Sequence, residues 1–67
     1  MSLRKYEGKR VRVITAGGNE YVGKVGDYIW PDDNEECGGC EAIILDGKDG
    51  LIGQINAPDI KSIEILE

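Results

Sequence analysis

The chain has 67 residues, of which ten are glycine, and its 13 acidic and eight basic side chains give a net charge of −5 with no histidine. A chain of this length forms one domain, residues 1–67, whose small core leaves stability marginal unless oligomerisation or a cross-link adds to it. The acidic balance disfavours general nucleic-acid binding, and no apolar run is long enough for a membrane-spanning helix. Without histidine there is no histidine-based catalytic triad, so we predict neither an enzyme nor a cofactor.

The N-terminal residues carry most of the positive charge. Residues 2–7 are predicted to form one helical turn, with Leu3 and Tyr6 covering an open end of a barrel. Two interpretations of the basic side chains stay open, an anion-binding patch and a solvated face. These side chains are Arg4, Lys5, Lys9, Arg10 and Arg12. Because this segment lacks the apolar core of a secretory signal, we expect a cytoplasmic protein with reduced thiols.

The first half of the chain is typical of β-structure. Apolar and polar residues alternate over residues 9–15, which predicts a first strand with one buried face. Residues 16–19 contain glycine and asparagine and predict a hairpin turn. Residues 20–30 predict a second strand that is too long to stay flat in so small a domain, and Gly23 and Gly26 lie where it can bend.

The second half predicts three more strands. The apolar residues 42–45 form the third, the glycine-rich residues 46–50 a hairpin turn, and residues 51–55 the fourth strand, antiparallel to the third. Residues 56–59 predict a tight or 3-10 turn, and residues 60–66 the closing strand. The predicted fold is therefore all-β: a small, strongly bent, five-stranded antiparallel barrel, with a short N-terminal helical turn.

One local pattern is similar to a phosphate-binding loop. The run from Gly18 to Lys24 has the spacing of that motif, with glycines five residues apart and lysine after the second. The next residue is Val25, where the motif needs serine or threonine for magnesium, and the run continues a strand where the motif needs a helix. We therefore reject a phosphate loop.

Two cysteines, Cys37 and Cys40, lie in an acidic excursion over residues 31–40. Neighbouring glutamates disfavour the thiolate that redox chemistry requires. A structural zinc site needs four ligands, so these thiols could complete one only with a second chain's pair or with carboxylates such as Glu36 and Glu41. A disulfide across so short a loop would contribute only about 2 kcal/mol. The favoured interpretation is a loop tip with spare thiols, and the weak metal candidate stays open.

The order of glycines and aliphatic residues resembles the signatures of the Sm-like family. The first signature is matched by alternating apolar residues, a turn glycine and a second glycine that bends the second strand. Those residues are Val11, Val13, Gly18, Tyr21, Gly23, Val25 and Tyr28. Residues 56–63 keep the spacing of the second signature. The resemblance implies a bent five-stranded barrel of the Sm-like or SH3-like kind. It also implies rings of six or seven subunits, in which strand four of one subunit pairs with strand five of the next. The rings of that family bind RNA.

The RNA-contacting residues of that family are not kept in this chain. The family's base-contacting aspartate falls on Ile29, its methionine and asparagine on Asp32 and Asp33, and its arginine and glycine on Asn56 and Ala57. Losing the arginine removes a stacking cation, and two carboxylates repel phosphates. Aromatic side chains at Tyr28 and Trp30 could stack on a base, although core or interface packing is the commoner role.

Three functional hypotheses result. The first is a non-enzymatic interaction or self-assembly module whose partner is protein, with a homo-oligomer formed through strands four and five; the alternative is that these strands close the barrel of a monomer. The second is a divergent RNA-binding protein that uses the basic N-terminal rim. The third is a thiol or zinc site at Cys37 and Cys40.

Overall fold

A computed structural model describes residues 3–35 and 38–66, and five antiparallel strands form one sheet in this part of the chain. The strands follow one another in the sequence as β1 (Arg10–Thr15), β2 (Glu20–Ile29), β3 (Ala42–Gly47), β4 (Gly50–Asn56) and β5 (Ile60–Ile65). Their order across the sheet is β4-β3-β2-β1-β5. The only helical segments of the described residues are short 3-10 turns, so the predicted all-β fold is confirmed.

The N-terminal turn closes one end of the core, as the spacing of its apolar residues predicts. A 3-10 helix spans Arg4–Tyr6. Leu3 is fully buried and Tyr6 is buried, and both belong to the hydrophobic core. The backbone N–H of Leu3 donates a hydrogen bond of 2.9 Å to Oε1 of Glu41, which fixes this turn to the residue before β3.

The core takes its residues from every strand. Val11 and Val13 are fully buried while Arg10 and Arg12 between them are exposed, so the alternation in β1 separates a core face from a solvent face. The same rule places alternate residues of the other strands inside. The remaining buried core residues, beyond the N-terminal turn and β1, are Val25, Ile43, Leu45, Ile55 and Ile60.

β2 bends because two of its glycines allow it. The pairing of β2 with β3 shifts between Val25 and Asp27, so Gly26 is the extra residue of a β-bulge. Gly23 is buried opposite Val11, and a methyl group added there would lie 2.6 Å from the backbone oxygen of Asp46 and 3.1 Å from Cδ1 of Ile52. The absence of a side chain at Gly23 thus lets β3 and β4 fold over β2.

We expect Gly23→Ala to destabilise the fold by about 1–3 kcal/mol, because the new methyl group meets a backbone oxygen that moves only with the strand. Chemical denaturation, monitored by circular dichroism, measures the loss in the free energy of unfolding. Gly17→Ala is the matched control, since its methyl group would have only the Asn19 amide nitrogen nearby, at 3.9 Å, and its expected change is within about 0.5 kcal/mol. Equal stability of the two variants would contradict a bend that depends on Gly23.

The turn between β3 and β4 is tighter than the sequence predicts. β3 continues to Gly47 and β4 begins at Gly50, and these two residues pair, which leaves the two-residue turn 48–49 in place of the expected turn over residues 46–50. A second bulge lies at Ile52, where the register shifts between Leu45 and Asp46. The turn over residues 56–59 is confirmed as the 3-10 helix Ala57–Asp59.

The sheet has two free edges. β4 pairs with β3 and β5 pairs with β1, and among residues 3–35 and 38–66 no hydrogen-bonded ladder joins β4 to β5. Direct pairing of β4 with β5 therefore does not close the barrel in this part of the chain, and the choice between monomer and oligomer stays a prediction. The sheet wraps around its core as an open barrel.

Candidate protein-binding site

Large apolar side chains are exposed along both free edges of the sheet. Leu51 in β4 is 70% exposed, and its neighbour Ile52 is also exposed. At the other edge, Ile65 in β5 and Leu66 after it are exposed by 46% and 44%. Contiguous exposed apolar patches are a common feature of protein-binding surfaces. We call these four residues the edge residues.

Ile65 lies on the core face of β5 but is incompletely covered. Ile63 and Ile65 stand opposite Val13 and Val11 in the register, and opposite residues share one face of a sheet. Ile63 packs on the core, yet Ile65 is nearly half exposed, whereas its opposite residue, Val11, is completely buried. Val11 lies between β2 and β5, whereas Ile65 is the last residue of an edge strand. A strand added at this edge would cover Ile65.

β4 has none of the charges that usually protect an edge. Soluble proteins place lysine, proline or inward-pointing charge on edge strands to prevent pairing with other chains. β4 contains no charged residue and no proline, whereas β5 carries Lys61 and Glu64. The bulge at Ile52 is the one irregularity of this kind in β4. The unprotected sequence of β4 is typical of a strand that binds a partner.

A recess of about 320 Å³ lies beside β4. One wall is formed by the turn between β1 and β2 and by Tyr21, and the other by Ile52 and Ile55 of β4. Polar groups of Thr15, Asn19 and Asp59 are also part of its lining. The recess is large enough to take a side chain from a strand laid along β4.

The five basic residues of the N-terminal segment have separate surroundings. The Arg4 guanidinium lies 4.7 Å from the ring centroid of Trp30, and the Lys5 ammonium lies 5.3 Å from that of Tyr6. Arg12 is paired with Glu64 at 2.5 Å and with Glu20 at 3.7 Å. Of the other two, Lys9 is exposed, and Arg10 stands opposite Lys24 across β1 and β2. These contacts do not gather the five residues around one site.

Tyr28 and Trp30 form an aromatic pair at the end of β2. Their ring centroids are 5.1 Å apart and the rings are nearly perpendicular. Tyr28 is half-buried and donates a hydrogen bond of 2.7 Å from its hydroxyl to Oε1 of Glu41, while Trp30 is 48% exposed beneath Arg4. Tyr28 is thus fixed in the packing of the domain, and Trp30 retains an exposed surface.

We expect Tyr28 to ionise at a pH above the ordinary value of about 10. Its hydrogen bond to Glu41, together with burial and the nearby carboxylate charge, raises the pKa of Tyr28, and Arg4 lowers it by less. The folded-state pKa therefore exceeds the unfolded one, so stability is unaffected below about pH 10 and is lost as the pH rises from there through the folded-state value. Tyrosinate absorbance against pH, with Tyr28→Phe subtracted, measures the shift. Glu41→Gln should lower the pKa of Tyr28 toward its ordinary value. An unchanged Tyr28 titration midpoint in that variant would show that Glu41 is not the cause of the shift.

The positions that match the family's RNA contacts have other contacts here. Asn56, at the position of the family's arginine, accepts hydrogen bonds of 3.0 Å from the side-chain amides of Asn34 and Gln54. Asn34 is buried and also donates to the backbone oxygen of Cys40 at 2.9 Å. Ala57 donates its N–H to the backbone oxygen of Glu41. The side-chain amide of Asn34 thus links Cys40 to Asn56 at the end of β4.

The remaining matched positions offer no replacement for the lost contacts. Ile29 is half-buried at the end of β2. Asp32 and Asp33 are exposed in the 3-10 helix Pro31–Asp33. Two exposed carboxylates therefore lie at this point of the surface.

Cys40 is disulfide-bonded and half-buried, so the prediction of a spare thiol is wrong for this residue. A disulfide sulfur is neither a thiolate nucleophile nor a thiolate ligand for zinc. Cys37 and Glu36 of the predicted site lie outside the described residues, whereas Glu41, also named there, accepts hydrogen bonds from Leu3 and Tyr28. Within the described ranges, no group of three or more aspartate, glutamate or cysteine residues is arranged to hold a metal ion.

Sequence reasoning missed two polar residues that organise this end of the barrel. Glu41 accepts hydrogen bonds from the Leu3 backbone and the Tyr28 hydroxyl. Asn34 links Cys40 to Asn56. Asn34 stands in a polar excursion and Glu41 just beyond it, and nothing local distinguishes either from its exposed neighbours. The absence of charged residues and proline from β4 is the sequence feature that could have indicated an exposed edge strand.

In the part of the chain that the structure describes, no helix has the length and apolar character needed to span a membrane. Comparison of the chain with protein-family models, with curated proteins and with solved structures finds no match.

Proposed function

We propose that this protein is a non-enzymatic self-assembly module, in which β4 of one copy pairs with β5 of the next. The observation that carries the proposal is the exposure of the edge residues at two strands that, among the described residues, pair with a neighbour on one side only. The Sm-like resemblance of the sequence supports the same pair of strands. Pairing them would bury apolar surface and satisfy the free backbone groups of both edges together.

The backbone of β5 supports pairing on its outer side. The N–H of Leu66 donates to the carbonyl oxygen of Arg10 at 2.8 Å, so every second residue of the strand faces β1. In an antiparallel ladder the residues between direct their N–H and C=O groups away from that neighbour. The backbone groups of Ile63 and Ile65 are therefore available to a second chain, next to the exposed Ile65 side chain.

The proposed contact joins two different surfaces. After one such contact, the pair of copies still has one free β4 at one end and one free β5 at the other, so assembly continues until a ring closes. Small size favours the same outcome, because a 67-residue chain buries a limited core and gains stability from association. A closed ring has no remaining edge.

The contacts of the N-terminal basic residues do not favour RNA as the partner. Arg12 is neutralised by glutamates, and Arg4 lies on Trp30. The family's arginine position holds Asn56, whose side chain is already hydrogen-bonded. RNA binding through phosphates would weaken steeply as salt rises, so a binding assay with a mixed RNA pool at low and high salt separates this hypothesis from the proposal.

Sedimentation velocity and multi-angle light scattering over a range of protein concentrations test the proposal. We expect a single closed species, with six or seven copies if the Sm-like resemblance extends to assembly. Assembly should persist at high salt, because the edge residues are apolar. A monomer at every concentration would contradict the proposal and favour an adaptor that binds a different protein.

A further inference from the structure

A groove with three basic side chains lies on the side of the barrel where β1, β2 and the turn after β3 meet. Its volume is about 490 Å³. The cations are Arg10 from β1, Lys24 from β2 and Lys48 from the turn, and the one carboxylate in the lining is Asp46. The groove thus has a local charge of about +2 in a chain whose net charge is −5. We call these four residues and the space between them the basic groove.

The positive charges of the basic groove are not neutralised within the fold. Arg10 and Lys24 stand directly opposite each other in the register of β1 and β2, an arrangement of like charges that destabilises a sheet. The ion pairs that the described residues form belong to Arg12, which lies on the same strand as Arg10. Lys24 has Asp46 opposite it on β3 without forming an ion pair. Exposed carboxylates are plentiful in this chain, and none of those described pairs with the three cations.

We propose that the basic groove binds the phosphate group of a small organic phosphate. Arginine offers a planar fork of donors that fits two phosphate oxygens, and lysine adds point charges beside it. A phosphate monoester carries nearly two negative charges at neutral pH, which balances the three cations and one carboxylate of the lining. Such a ligand would also relieve the repulsion between Arg10 and Lys24.

The remaining lining sets the size and character of the ligand. A volume of about 490 Å³ lies in the range of small-molecule pockets and exceeds the space needed by a lone phosphate. Val22, which is 40% exposed, forms an apolar part of the wall, and Gly23 and Gly47 bring no side chains into it. A phosphate joined to an apolar or aromatic body of nucleotide size therefore fits better than the free anion. The groove is not a phosphate-binding loop, because its cations come from three separate segments.

Isothermal titration calorimetry with inorganic phosphate and with adenosine 5′-monophosphate tests the proposal, with adenosine and an equal ionic strength of sodium chloride as reference ligands. We expect both phosphates to bind, the ester more tightly. Arg10→Gln and Lys24→Gln should each raise the dissociation constant about threefold to tenfold. Lys61→Gln is the matched control, since Lys61 is an exposed lysine on β5 outside the groove, and it should bind like the wild type.

Ligand-free melting temperatures separate a binding role from a structural one. Since each of the two variants removes a like-charge contact, Arg10→Gln and Lys24→Gln should melt at or above the wild-type temperature without ligand. Binding equal to that of chloride, binding unchanged in both variants, or an equal loss in Lys61→Gln would overturn the proposal. These results do not depend on whether the protein assembles through its edges.

Discussion

Leu51→Lys is expected to raise the dissociation constant of the proposed assembly about tenfold to a hundredfold. Burial of a leucine side chain contributes roughly 1.5–3 kcal/mol, and lysine would lose that contribution and place a charge at the contact. Leu51 is 70% exposed in the single chain, so the substitution should leave the fold itself nearly unchanged. Sedimentation velocity over a dilution series measures the change.

A lysine substitution on β5, at the opposite edge of the sheet, tests the same contact independently. Ile65→Lys alters β5 and should dissociate the assembly to a similar degree, because each contact in the proposed ring uses both edges. Val22→Lys is the matched control: Val22 is 40% exposed, against 46% for Ile65, but it lies on the central strand β2. If Val22→Lys dissociates the protein as strongly as the edge variants, the added charge itself, and not the loss of edge pairing, separates the copies.

Truncation of Leu3 should cause a larger loss of stability than any of the other substitutions proposed for this chain. Leu3 is completely buried in the core although it lies at the start of the chain, and Leu3→Ala would remove three buried carbons from a domain with few core residues. Changes of this kind cost about 2–5 kcal/mol, against a total stability of roughly 5–15 kcal/mol for a small domain. Urea denaturation of dilute protein measures the loss.

The control for Leu3 is the same chemical change at an exposed leucine. Leu51→Ala should alter the stability of the single chain by no more than about 0.5 kcal/mol. Both variants are compared at low concentration, because association would add to the apparent stability of whichever variant still assembles. A loss for Leu3→Ala as small as that for Leu51→Ala would mean that the N-terminal turn does not cover the core in solution.

Local patterns were enough to predict most of the fold. Alternation over residues 9–15 predicts a strand with Val11 and Val13 inside, and the spacing of Leu3 and Tyr6 predicts a turn that covers the barrel end. The bend in β2 follows from its glycines. Each of these features depends on residues that are close together in the chain. Their side-chain periodicity and the backbone freedom of glycine therefore predict the local structure directly.

The polar contacts could not be predicted in the same way, because they join distant parts of the chain. Glu41 receives the N–H of Leu3 from 38 residues away, and Asn34 donates to Asn56 across 22 residues. The basic groove likewise depends on the register that sets Arg10 opposite Lys24. Periodicity describes which face of a strand is apolar, but it does not say which polar residues meet when strands from separate segments align.

The position of Ile52 couples the bend of the barrel to its outer edge. Its side chain occupies the space left open by Gly23, and it also approaches Gly47, while 37% of it remains exposed on β4. A neighbouring copy that covers Ile52 would therefore hold its side chain against Gly23. Local unfolding of the bent part of β2 would then be less favourable. Local unfolding of the barrel and exchange of subunits in the proposed assembly would then both slow down, and a substitution at Gly23 would alter the lifetime of the assembly through Ile52.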